Sequence, residues 1–220
     1  MLRRNAERNA LRTVPSEPSP LIIFFYGNAM SASGTMRVMD SFGIWPYFLD
    51  YNCLIVDYVG YGPDRKGRPS AKNIYELSLA AFDYARTLPE VSRIIVGGFS
   101  IGTGPAVYLA AHREINGLFL LAPFANVYDL YNNVLPIFHG PLRLFVRHRF
   151  LSDRYAREIT VPPLLVASRN DEIIPLTSAE RLNSSFNRET TFVVLSGAGH
   201  NEIFLNQQAL DSVRKYLSKL

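Results

Sequence analysis

The sequence predicts an α/β protein: a doubly wound, mostly parallel sheet of about six strands with a small helical cap. Three observations lead there. Apolar runs of strand length alternate with longer stretches at helical spacing. Those runs are apolar throughout, as strands covered by helices on both faces must be. The third run, Arg93-Ile94-Ile95-Val96, ends at Gly97-Gly98-Phe99-Ser100-Ile101-Gly102, and small helix-compatible residues follow. Gly98 to Gly102 spell G-x-S-x-G, the pattern of a nucleophile elbow, where a strand turns sharply into a helix. The turn strains the serine backbone, so its neighbours two residues away must lack bulk. The hydroxyl then stands at a helix N-terminus, whose partial positive charge favours a developing anion.

Taken in order, residues 1–20 are polar, basic and then proline-rich (Pro15, Pro18, Pro20) and read as a short helix or frayed arm followed by a linker. The domain proper is expected over 21–220. Leu21 to Tyr26 is the first buried strand, and Gly27 to Gly34 a loop of small residues whose amides can approach a ligand closely. A helix is expected over about 35–49, interrupted near Pro46, and a second strand over Asn52 to Tyr58, closed by Gly60-Tyr61-Gly62-Pro63. The next helix starts at Asn73 as N-cap with Glu76 placed for a capping box, and Pro89 ends it. The elbow strand is third, over about 93–97, with its helix over about 101–113. Gly117 to Ala122 is the fourth strand. Residues 124–160 carry helical patterns, aromatics and prolines without a strand and read as an inserted cap. Leu164 to Ser168 and Thr191 to Leu195 are the fifth and sixth strands, with a helix over Ser178 to Phe186 between them. A terminal helix covers about 202–219.

The 220 residues suffice for one large domain with a full core. A hydrophobic share of 48% and a charged share of 19% describe an ordinary globular chain. The net charge of +4 comes from scattered residues, apart from Arg143, Arg147, His148 and Arg149, so nucleic-acid binding is not indicated. Contact of a basic patch with acidic lipid or an acidic substrate stays open. Cys53 is the single cysteine, which rules out an internal disulfide and fits a reducing, cytoplasmic setting. No run reaches membrane-spanning length, and the basic N-terminus lacks the apolar stretch of a secretory signal. No metal and no cofactor is expected.

Functional groups of such a sheet collect beyond the carboxyl ends of its strands. Ser100 follows the third strand, Asp171 the fifth and His200 the sixth. A serine hydroxyl is a weak nucleophile until a neighbouring base takes its proton. His200 is the candidate base, since it alone among the histidines lies in a loop after a late strand. His112 sits at a helix end, where histidines satisfy carbonyls, and His139 and His148 fall in the cap. Asp171 would orient the imidazole and stabilise its charged form. Its rivals are Glu172, Asp129 after the fourth strand, and Asp57, which precedes the serine and reads as holding the turn at Gly60. The oxyanion needs two donors: the backbone N–H of Ile101, directly after the nucleophile, and that of Asn28 in the loop after the first strand, with Ala29 next.

These patches together resemble the α/β-hydrolase superfamily over residues 21–220. More closely, they resemble its compact hydrolase-domain proteins, which include palmitoyl-protein thioesterases of the cytosolic membrane face and serine-aminopeptidase-like bacterial hydrolases. Phe24 to Ala29 is similar to the family's F-H-G-N-A, and Asp57 to Gly62 to D-Y-R-G-Y-G. Pro123 to Asp129 is similar to P-F-T-S-L-x-D, and Arg149-Phe150 to the R-F of the cap. Gly98 to Gly102, Asn170 to Pro175 and Gly199-His200-Asn201 complete the series. Three departures stand out: Tyr26 replaces the usual histidine beside the oxyanion loop, Val59 replaces an arginine, and residues 1–20 leave no room for the two strands that normally come first.

The function expected is hydrolysis of carboxylic esters or thioesters by a Ser100–His200–Asp171 triad through an acyl-enzyme. The apolar cap residues between Leu130 and Val146 either receive an apolar acyl or aromatic group or simply pack the cap onto the sheet. The alternatives are a serine peptidase of small peptides and a hydrolase fold kept as a non-catalytic binding module. A small-molecule or acylated substrate is the expected partner; the oligomeric state is left open.

Overall fold

A computed structural model of the chain describes residues 2–4, 10–13, 18–48, 51–62, 67–129 and 150–220. Eight strands form one sheet: β1 (Leu2–Arg4), β2 (Ala10–Thr13), β3 (Ser19–Phe25), β4 (Asn52–Val56), β5 (Val91–Phe99), β6 (Gly117–Leu121), β7 (Leu164–Ser168) and β8 (Thr191–Leu195). Their spatial order is β1-β2-β4-β3-β5-β6-β7-β8. From β4 to β8 every pairing is parallel, so six parallel strands stand where the apolar runs put them. Leu21, Ile23, Phe25, Leu118 and Leu165 are fully buried, as strands with helices on both faces require.

The N-terminal twenty residues correct the expectation. Where they are described, Leu2–Arg4 and Ala10–Thr13 are strands rather than a helix or frayed arm, and β1 pairs antiparallel with β2, which pairs antiparallel with β4. Among the described residues the sheet therefore has the six parallel strands expected and two antiparallel ones added at one edge. Three and four residues are enough because an edge strand needs only a few ladder bonds to a neighbour already in place.

Six α-helices carry the connections among the described residues: α1 (Ala32–Ser41), α2 (Ala71–Arg86), α3 (Thr103–His112), α4 (Ser152–Tyr155), α5 (Leu176–Asn183) and α6 (Gln207–Leu217). The α1 region is shorter than its sequence pattern: Gly43, at φ 63°, ends it, and Trp45–Phe48 forms a separate 3-10 turn around Pro46. Helix α2 begins earlier than expected. Its N-cap is Ser70, whose hydroxyl accepts from Asn73 N–H at 3.2 Å, while Asn73 Oδ1 accepts from Ser70 N–H at 2.8 Å. Asn73 is thus the third-position partner of the capping box, and Glu76 instead pairs with Lys72 one turn away.

The chain runs from β3 outward to β4, then crosses back to β5 on the other side of β3. That reversal opens a crevice beyond the carboxyl ends of β3 and β5, the place where open α/β sheets bind ligands. The cap expected over 124–160 falls largely outside the described residues, with the apolar residues from Leu130 to Val146 and the basic cluster Arg143, Arg147, His148 and Arg149. Its two ends are described. Asn126 and Leu151 form an antiparallel bridge, and Val127 N–H donates to Phe150 C=O at 2.9 Å. Phe150 is buried between Phe124 and Gly104, where a Cβ would stand 2.6 Å from the Phe150 ring. No described helix is long and apolar enough to cross a membrane. Cys53 is a buried free thiol, which burial pushes up to about 12.

Candidate active site

The elbow is built by close packing of backbone on backbone. Strand β5 ends at Phe99, and Ser100 opens a 3-10 turn, Ser100–Gly102, that continues into α3. Ser100 has φ 54°, a left-handed conformation that side-chain-bearing residues avoid unless the surroundings impose it. The surroundings do impose it. A Cβ on Gly98 would lie 2.6 Å from Gly102 C=O, and a Cβ on Gly102 would lie 2.1 Å from Phe25 C=O. Only glycine lets the turn fold back on itself and sit against the end of β3. Thr103 Oγ1 donates to Ser100 C=O at 2.7 Å and fastens the turn from the helix side.

Ser100, His200 and Asp171 are brought together in a line. His200 Nε2 is 2.8 Å from Ser100 Oγ, and His200 Nδ1 is 2.8 and 2.9 Å from the two Asp171 carboxylate oxygens. The His200 and Asp171 side chains are 3% and 2% exposed, so their interaction is nearly free of solvent screening. Phe99 covers the imidazole with ring centroids 5.4 Å apart, and Phe204 stacks behind it.

The rival residues are engaged elsewhere. Asp129 accepts from the Ser178 hydroxyl and pairs with Arg181. His112 Nδ1 lies 2.7 Å from Tyr108 C=O at the end of α3, as its position suggested. His139 and His148 lie outside the described residues. Asp57, expected to hold the turn at Gly60, instead accepts at Oδ1 from Tyr26 O–H and from Ala32 N–H.

Glu172, weighed only as a rival acid, binds the histidine loop. Its Oε2 accepts from His200 N–H at 3.0 Å. That amide and its own backbone N–H hold the Glu172 carboxyl below its usual range. Two further bonds join the same loops: Ser168 Oγ donates to Ala198 C=O at 2.5 Å, and Gly197 N–H donates to Asn170 Oδ1 at 2.8 Å. The only sequence signal for this fastening was a run of polar residues directly after a fully apolar strand. Asp171 also accepts from Ile173 and Ile174 N–H, so its carboxylate closes its own turn while facing the histidine.

Of the oxyanion candidates, Ile101 follows Ser100 in the first helical turn, where amides have no partner within the helix. Asn28 and Ala29 are exposed in the loop between β3 and α1, and Ala29 has φ 59°. The Asn28 side chain is held by Tyr61 O–H at 2.5 Å. No cluster of metal-ligating side chains occurs among the described residues.

Comparison with known proteins adds to this geometry. A family model described as TAP-like protein matches residues 148–220. An uncharacterized protein of Mycobacterium tuberculosis is 29% identical over 204 residues, 91% of this chain and 70% of that protein. The mouse alpha/beta hydrolase domain-containing protein 17C is 30% identical over 210 residues, 94% of this chain and 62% of its own. Est1E from Butyrivibrio proteoclasticus, solved with ferulic acid bound, superposes with a TM-score of 0.74 at 18% identity, covering 100% of this chain and 98% of that one. The chain has the α/β-hydrolase fold and is similar in sequence to alpha/beta hydrolase domain-containing proteins. The chain spans less than two thirds of the mouse relative's length.

Proposed function

We propose that this chain is a serine hydrolase of carboxylic esters or thioesters. The observation that carries the reading is the unbroken relay from Ser100 Oγ through His200 to Asp171, with each step at 2.8 Å. In the proposed reaction, His200 Nε2 takes the Ser100 proton as Oγ adds to the acyl carbon. The carbonyl electron pair moves onto oxygen, where Ile101 N–H and Asn28 N–H, with Ala29 N–H next to it, receive the charge. The adduct collapses, the alcohol or thiol leaves with the proton from His200, and an acyl-enzyme remains. Water then adds to the acyl carbon, giving its proton to His200. The carboxylic acid departs, and Ser100 recovers its proton. Asp171 accepts from His200 Nδ1–H throughout and orients the ring.

The ferulic acid in Est1E supports the acyl half of this proposal, since a carboxylic acid is what such a reaction releases. The test combines fluorophosphonate labelling with a panel of p-nitrophenyl esters, acyl thioesters and aminoacyl anilides. Ser100 is expected to carry the label. Ser100→Ala should remove the label and lower ester or thioester turnover by about 10⁴–10⁶. Turnover of anilides alone would point to a peptidase. An unlabelled Ser100 with no turnover would leave a binding module.

A further inference from the structure

The loop between Tyr26 and Ala32 carries one of the two proposed oxyanion amides, yet its tip at Asn28 and Ala29 is exposed and includes the left-handed Ala29. A strained, exposed loop keeps its shape only if something outside it imposes that shape. The restraint is applied at its ends. Tyr26 O–H donates to Asp57 Oδ1 at 2.7 Å, and Ala32 N–H donates to the same oxygen at 2.6 Å. A single carboxylate atom therefore closes the loop from both sides.

The Tyr26 hydroxyl is itself fixed, accepting from Tyr58 N–H at 3.2 Å, while Tyr58 O–H donates to Tyr26 C=O at 2.8 Å. At the tip, Tyr61 O–H reaches Asn28 Oδ1 at 2.5 Å. The root of the loop also abuts the elbow, because Gly102 leaves no space between itself and the carbonyls of Phe25 and Tyr26. Burial first, and Asp57 second, hold the Tyr26 phenol above its ordinary value of 10.0, so it remains a protonated donor at any pH where the protein would be assayed.

We infer that Tyr26 and Tyr61 are positioning residues. Acting through Asp57 at the root of the loop and through the Asn28 side chain at its tip, they set where Asn28 N–H stands relative to the oxygen that becomes negative when Ser100 attacks. The inference rests on the serine-hydrolase reading. Such donors act over about 2.7–3.1 Å, and a misplacement of about 1 Å costs on the order of 10² in rate. A phenol suits the task because it reaches across to the carboxylate without titrating.

The experiment measures kcat and KM on p-nitrophenyl butyrate, together with inhibition by an alkyl trifluoromethyl ketone. The ketone adds Ser100 Oγ at its carbonyl carbon, passes the serine proton to His200 and places its oxygen where the oxyanion forms. Tyr26→Phe should lower kcat by about 10–100-fold with KM changed less than about twofold, and weaken the ketone by the same factor as kcat/KM. Tyr61→Phe, a change at a partly exposed side chain, should do the same by about threefold to tenfold. It carries the test if Tyr26→Phe does not fold. A purely structural role would lower the melting temperature while leaving kcat per labelled Ser100 unchanged. That result overturns the inference, as does a ketone affinity that fails to follow kcat/KM. Ser100→Ala, run in parallel, separates the two ideas. Turnover that survives it removes the serine reading and this inference together; turnover that depends on Ser100 but is untouched in both tyrosine variants removes the inference alone.

Discussion

At residue scale, the site depends on absent atoms as much as on present ones. A methyl group on Gly102 would fall 2.1 Å from Phe25 C=O, a rigid backbone atom with no way to yield. Gly102→Ala is therefore expected to cost about 3 kcal/mol or more, beyond ordinary overpacking, because strand and turn must separate. The measurement is urea unfolding beside fluorophosphonate labelling: lower stability should come with slower labelling of Ser100, since the same separation displaces the Ile101 amide. Ser100, Asp171 and His200 could be singled out in the sequence because each follows an apolar strand at the same edge of the sheet, and the structure brings their side chains together. Glu172, Ser168 and Asn170 could not, since their work is to accept or donate backbone hydrogen bonds across two loops, and no local pattern records which loops will be neighbours. Tyr26 was noticed as a departure, but its partner Asp57 could be recognised only once β3 and β4 lay side by side.

Among the elements, the strands were read well and the helix ends less so. A buried parallel strand announces itself by continuous apolar residues, whereas a helix start is settled by competition among several nearby caps. In α2 the competition lies between Ser70 and Asn73, and the structure resolves it in favour of a box that uses both. Ser70→Ala should thus destabilise the fold by about 1 kcal/mol, moving the melting temperature down by roughly 2–4 °C. Ester turnover per folded molecule should not change, because α2 contributes nothing to the Ser100 relay. The two N-terminal strands were missed for a different reason: three- and four-residue segments are too short for a period, and they exist because β4 offers an open edge.

For the whole molecule, burial of phenols sets the alkaline limit. Tyr26, Tyr58, Tyr75 and Tyr216 are all held above the ordinary value of 10.0, in each case first by desolvation. Above that pH the unfolded chain releases these protons while the folded chain retains them. The unfolded state then binds fewer protons, and stability falls as pH rises. Melting temperatures should begin to decline near pH 9, where the Cys53 thiol of the unfolded chain starts to lose its proton, and fall more steeply from about pH 10, with release of the buried phenols' protons coincident with unfolding. Complete phenolate absorbance, equal to that of the unfolded chain, reached well below the unfolding transition would contradict the burial. The bridge between Asn126 and Leu151 has a consequence at this scale as well. Both feet of the intervening segment stand on one spot, and closing a longer loop costs only logarithmically more. Insertions or deletions between those feet therefore cost the fold little, and Ser100, Asp171 and His200 all lie outside the span.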